Sequence, residues 1–215
     1  MRKLAKPLIL TAVALCLLLA FILYKTMGPF YAGHSLSYWL KNSESDQART
    51  AIRAIGTNAI PQLLRWISKD IPTSNVKIAS GEVFKVGDVS GYEYALGGFA
   101  ILGTNAAPAL PALVSLMKDR THQPNAIVAM QALAFTGEQA LPYLTAALSD
   151  TNQFHRGELA RAISTMPLVG VGVATNDCLN PLLKATTDAD ESVRVSVTNA
   201  IRSLAPNLFT NASAQ

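Results

Sequence analysis

Two cysteines, three histidines and 15% charged residues are nearly all that this 215-residue chain offers to the usual chemistry of sites. Cys16 lies inside an apolar run and Cys178 stands alone in the rest, so no disulfide closes within the body and packing must hold it together. His34, His122 and His155 are far apart in sequence, and none has the close His/Cys spacing of a zinc site. Gly-x-Ser-x-Gly is missing. The glycines of Gly170-Val171-Gly172-Val173-Ala174 have no third glycine and no following lysine, as phosphate-binding loops require. The nearest carboxylate pair, Asp190-Glu191, reads as charge at a helix start. These gaps predict a chain that is not an enzyme and holds neither metal nor cofactor. Excess charge is also missing beyond the first residues. Arg2, Lys3, Lys6 and Lys25 supply the whole formal +4, and from residue 26 onward 14 basic residues face 14 acidic ones. A nucleic-acid binder needs a basic stripe to displace counterions, and none stands out.

What the chain does have is one long uncharged run, Leu8–Tyr24, reading LILTAVALCLLLAFILY. About 17–25 apolar residues suffice for a helix to span the hydrocarbon core. The rival reading is a signal peptide, with its basic start and shorter apolar region. The cleavage position is poor here, because Ala20 is followed by Phe21, Ile22, Leu23 and Tyr24. We expect a membrane anchor over residues 8–24, with secretion after cleavage as the alternative. Three basic residues before the run and only Lys25 close behind it place residues 1–7 in the cytoplasm and the body outside, periplasmic in a bacterium.

The second positive feature is a segment that returns. Ile55-Gly56-Thr57-Asn58-Ala59-Ile60-Pro61 reappears as Leu102-Gly103-Thr104-Asn105-Ala106-Ala107-Pro108. Looser copies run Phe135–Pro142 and Thr175–Pro181, and the prolines stand 47, 34 and 39 residues apart. That is the period of a helical repeat array. Each unit pairs two helices. The first carries a stripe of mostly small apolar residues, headed by arginine in the last two units: Ala48, Ala51, Ala54 and Ile55; Ala95, Gly98, Ile101 and Leu102; Ala126, Ala129, Ala132 and Leu133; Arg156, Leu159, Ala162 and Ile163; Arg194, Val197, Ala200 and Ile201. The second helices are expected at 61–68, 108–118, 141–149 and 179–186, with proline in the first turn. The glycine five residues before the first three prolines suits a helix end. Asp70, Asp119, Asp150 and Asp188 recur after the second helices, where a carboxylate can bond the turn backbone and cap the next helix. Residues 25–44 read as a juxtamembrane linker and a capping helix over Ser35–Leu40, with Tyr38 and Trp39 covering the first unit. Residues 207–215 read as a flexible tail.

Asp188-Ala189-Asp190-Glu191-Ser192-Val193-Arg194, followed by Val197, Ala200, Ile201 and Leu204, resembles the Asp…Val-Arg…Ala…Ala-Leu…Leu signature of the HEAT-repeat family. His155-Arg156…Leu159…Ala162-Ile163…Met166 is a second, weaker match. The resemblance implies an all-α, right-handed, armadillo-like α-solenoid of about four to five helix pairs over residues 45–206. It also implies a ladder of contacts between adjacent repeats, made by Asp188 or Asp190 and by Arg194. The first three units depart from it, with Ala48, Ala95 and Ala126 where the arginine would stand.

One stretch, residues 71–91, breaks the period. Val76-Lys77-Ile78 and Val83-Phe84-Lys85-Val86 alternate as a small hairpin would. It reads either as an ordered surface insertion or as a binding loop, whose contacts would be Lys77, Glu82, Phe84, Lys85, Asp88, Tyr92 and Glu93. The function expected overall is a membrane-anchored scaffold or adaptor that binds a protein partner on the solenoid surface. The alternatives are a lyase-like enzyme or enzyme subunit, and a structural spacer with no specific partner.

Overall fold

The computed structural model describes residues 28–69, 73–77, 83–87, 90–166 and 174–206, together with Leu15. The anchor expected over 8–24, apart from Leu15, therefore lies outside the described residues, as do Glu82, Asp88 and the tail 207–215. The described chain is mostly helical. It opens on a two-residue hairpin, β1 (Phe30–Tyr31) against β2 (His34–Ser35), closed by Ala32 and Gly33 at positive φ. The short helix α1 (Leu36–Lys41) follows, with the Ser35 hydroxyl accepting from the Tyr38 N–H. Trp39 turns inward and donates its Nε1–H to the Tyr31 carbonyl at 3.1 Å. Tyr38 points out and is 45% exposed, so of the two expected aromatic covers only Trp39 buries itself against the first unit.

The first helices are α2 (Asp46–Ile55), α4 (Ser90–Leu102), α6 (Gln123–Phe135), α8 (Arg156–Thr165) and α10 (Glu191–Leu204). The second helices are α3 (Ile60–Ser68), α5 (Leu110–Met117), α7 (Leu141–Ser149) and α9 (Thr175–Lys184). The first helices pack in a row, α2 on α4, α4 on α6, α6 on α8 and α8 on α10. Each second helix packs on the first helix of the following unit. One apolar cluster runs through the whole series, from Leu36 to Ile201.

The buried stripes follow helical periodicity more strictly than the small residues do. In α2 the buried set is Ala48, Ala51, Ile52 and Ile55, while Ala54 is exposed. At about 100° per residue, position 54 lies some 120° round from position 48, off the stripe that 51, 52 and 55 complete. For the same reason Phe99 rather than Ile101 is fully buried in α4, and Val193 rather than Arg194 in α10. Helix α6 has buried residues around most of its circumference, as expected of the middle of a row packed on both sides.

The recurring glycines have one backbone role. Gly56, Gly103 and Gly137 all sit at positive φ, +59°, +55° and +89°. Gly56 and Gly103 begin short 3₁₀ segments that touch each other, and Gly137 stands just before a third. Pro61, Pro111 and Pro142 occupy the first turn of α3, α5 and α7, where no N–H is needed. Pro108 lies in the 3₁₀ segment Gly103–Ala109 instead, and Pro181 falls inside α9, which starts four residues before the expected Leu179.

Within the 71–91 insertion, β3 (Thr73–Lys77) pairs antiparallel with β4 (Val83–Gly87), Val76 opposite Phe84 and Asn75 opposite Lys85. Ser90–Met117 is the run among the described residues that is long and apolar enough to cross a membrane by length and composition. In the fold it is α4 and α5 broken at Gly103, with Phe99, Leu102, Leu113 and Met117 buried in the common core.

Candidate functional site

Three of the loops that join a second helix to the next first helix share one device, while Asp70 lies outside the described residues. Asp119, Asp150 and Asp188 each accept the backbone N–H two residues on, from Thr121, Asn152 and Asp190, at 2.8–2.9 Å. These loops are also stitched to one another. Arg120 donates to the Asn152 carbonyl at 2.6 Å and lies over the Phe154 ring at 4.4 Å. Gln153 donates to the Met117 carbonyl at 3.3 Å.

The strongest link is Arg156. Its Nε donates to the Leu148 carbonyl of α7 at 2.9 Å, and its two Nη groups grip the Asp188 carboxylate side on, with Nη1 to Oδ1 at 3.0 Å. Both side chains are about nine-tenths buried. The Arg156 hydrogen bonds hold the Asp188 carboxyl below the usual carboxylate range, helped by the Asp190 N–H. Of the residues expected in the ladder, Asp188 thus makes the contact between units, with Arg156 as its partner. Asp190 caps its own helix, accepting from the Ser192 N–H and hydroxyl at 2.8 Å. Arg194 donates to the carbonyls of Asp188 and Ala189 at 2.7 and 2.9 Å, within its own turn. The sequence marked Arg156 as the head of its stripe and gave no sign that it reaches Asp188.

The expected contacts of the insertion are scattered. Lys77, Phe84 and Lys85 lie in the paired strands, and Glu93 is exposed on α4. Tyr92 is buried, and its hydroxyl donates to the Asn125 Oδ1 on α6. It joins two first helices from inside and has no exposed ring to offer a partner.

Two clusters look like chemistry and are not arranged for it. At the turn after α5, the Thr121 hydroxyl lies 2.7 Å from the His122 Nδ1, which lies 3.0 Å from the Asp119 Oδ2. Hydroxyl and carboxylate meet the same ring nitrogen, whereas a nucleophile, base and orienting acid need the two opposite ones. Beside Arg156, a depression of about 470 Å³ is lined by His155, Asp188 and Asp190, and the His155 Nε2 is buried without a hydrogen-bond partner. Its two carboxylates are already taken by Arg156 and by backbone N–H groups. Among the described residues no three His, Cys, Asp or Glu side chains group as metal ligands do.

No protein-family model matches the chain, and no curated protein does. The site must therefore be judged on its geometry.

Of the surface features, a groove across the row of first helices stands out. Leu96 of α4, Gln131 and Phe135 of α6, and Ala162 and Thr165 of α8 line it, with Arg161 at its edge. It measures about 230 Å³, less than the roughly 300–1,000 Å³ of a small-molecule site. Arg161 is paired along its own helix with Glu158, its Nε donating at 2.8 Å. Cys178 is fully buried in α9, and burial, with Asp177 beside it, pushes its thiol up to about 11.

Proposed function

We propose that this chain is a membrane-anchored adaptor: a short HEAT-like α-solenoid, held by a transmembrane helix over Leu8–Tyr24, that binds a segment of a partner protein through its first helices. The observation that carries the reading is the groove shared by α4, α6 and α8, the first helices of three consecutive units. The repeated glycine turn and the repeated aspartate turn support the solenoid. The 17-residue uncharged run, with three basic residues before it, supports the anchor and an outward-facing body. The insertion hairpin, with Lys77, Phe84 and Lys85, lies between α3 and α4 and is a second place for contact.

The test is a photo-crosslinking amino acid placed in the full chain in its native membrane. Position 131 lies in the groove, and position 115 is exposed on the second helix α5. A partner segment in the groove gives discrete adducts from position 131 that disappear with Phe135→Asp and are not seen from position 115. Equal adducts from both positions, or adducts indifferent to Phe135→Asp, overturn the reading. A spacer predicts no discrete adduct at either.

A further inference from the structure

The unit nearest the expected anchor differs from the rest of the body in charge and carries three of the five strongly exposed aromatic rings among the described residues. Residues 28–69 carry five basic residues, Lys41, Arg49, Arg53, Arg65 and Lys69, against Glu44 and Asp46. Residues 70–215 carry nine basic against twelve acidic. The balance of the body thus hides a basic first unit and an acidic remainder. All five cations are exposed.

The same unit shows aromatic rings to solvent. Phe30, Tyr31 and Tyr38 are 49%, 42% and 45% exposed. The two tyrosines are held rather than loose, since His34 stacks on Tyr38 at 4.0 Å and Trp39 packs edge-on against both. Phe30 and Tyr31 also form one wall of an open cleft of about 630 Å³, whose far side includes Ala54 and Arg65. Rings with a polar tip beside cations are the composition of a protein surface at the membrane–water interface.

Chain length restricts where this patch can be. Phe30 follows Tyr24, the last residue of the apolar run, by six residues. At no more than about 3.6 Å per residue, that link spans about 20 Å. An anchored chain therefore keeps Phe30 within about 20 Å of the end of the run, so the first unit can reach the headgroup layer, where attraction decays over a Debye length of about 10 Å. We propose that the first unit docks on the anionic surface of the membrane that anchors it, with Phe30, Tyr31 and Tyr38 in the interface and the basic residues on headgroup phosphates. The acidic remainder is repelled from the same surface, so the groove across α4, α6 and α8 is turned toward partners away from the bilayer. This inference rests on the anchor reading.

The experiment uses the full chain in vesicles of phosphatidylcholine with or without 30% phosphatidylglycerol, carrying a headgroup spin-labelled lipid as quencher. Cys16 and Cys178 are changed to alanine. A fluorophore is attached through Thr50→Cys, one helical turn from Ala54, or through Val195→Cys on α10. We expect at least threefold stronger quenching at position 50 than at 195 in the anionic vesicles. The contrast shrinks in 0.5 M salt and with R49E/R53E. Equal quenching at the two positions, in chains that resist alkaline carbonate extraction, overturns the docking while the anchor stands, and assigns the patch to a soluble partner. Chains that wash off in carbonate overturn the anchor and the docking together.

Discussion

Arg156 is the residue on which two units depend. Replacing it with glutamine leaves the Asp188 carboxylate without its bidentate partner in a nearly closed site and frees the Leu148 carbonyl. Breaking such a pair from one side costs about 3 kcal/mol, read as a lower midpoint in urea. The pair also sets an acid limit. A carboxyl held below its unfolded value of about 3.9 contributes stability above that pH and loses it as pH falls through the folded value. Melting followed from pH 6 to pH 2.5 therefore falls steeply below about pH 4. Asp188→Asn is less stable at pH 6 and shows a shallower fall. Part of the slope remains, because hydrogen bonds from Thr121 and His122 hold Asp119 low, and those from Ser192 hold Asp190 low. Cys178 gives a separate prediction. Its thiol is enclosed and held protonated, so iodoacetamide at pH 8 modifies it only in denaturant. Labelling of the folded body at the rate of a free thiol would mean that α9 opens readily.

At the scale of elements, the recurring turn explains why glycine returns at 56, 103 and 137. Gly56 has φ +59° with ψ −137°, and Gly137 φ +89° with ψ −163°, backbone that a side chain strongly disfavours. A methyl group on Gly56 would meet nothing within 4 Å, so the cost of Gly56→Ala is strain alone, about 1–3 kcal/mol. Gly98 is constrained differently. A methyl group there would fall 2.5 Å from the Leu63 Cδ2, and Leu63 is fully buried. Gly98→Ala forces α3 and α4 apart and costs about 1–3 kcal/mol by overpacking. The double variant Gly98→Ala with Leu63→Ala separates the two causes in urea denaturation, because it relieves only the second kind of loss. These turns were legible in the sequence because a residue type answers to its own backbone angles. The insertion hairpin was legible for a similar reason, since period-2 alternation survives without tertiary context. The Arg156–Asp188 link was not, because its ends lie 32 residues apart and nothing local says which arginine reaches which aspartate. Tyr38 and Ala54 misled in the same way. Being aromatic or small says what can be buried, whereas the angle round the helix decides what is.

Among the described residues, most contacts run between neighbouring units, α3 on α6 being the longer reach. α8 and α10 meet at Gly157, where a methyl group would lie 2.6 Å from the Ser196 hydroxyl, while the helices that α2 chiefly packs on are α1 and α4. In such a row stability is roughly a sum of unit and interface contributions rather than one block. Val197 is fully buried in α10, and Val197→Ala costs about 2 kcal/mol by the cavity it leaves. The loss should be spent locally. Hydrogen exchange measured by mass spectrometry is expected to rise in α9 and α10, less in α8, and not in α2 through α4. Faster exchange everywhere by one factor would mean that the body unfolds as one cooperative unit, and the row would then be a single core of helical layers. The outcome bears on function as well. A groove across α4, α6 and α8 holds a partner best if those three helices stay ordered while the end beyond them frays, and local exchange is the observable that separates them.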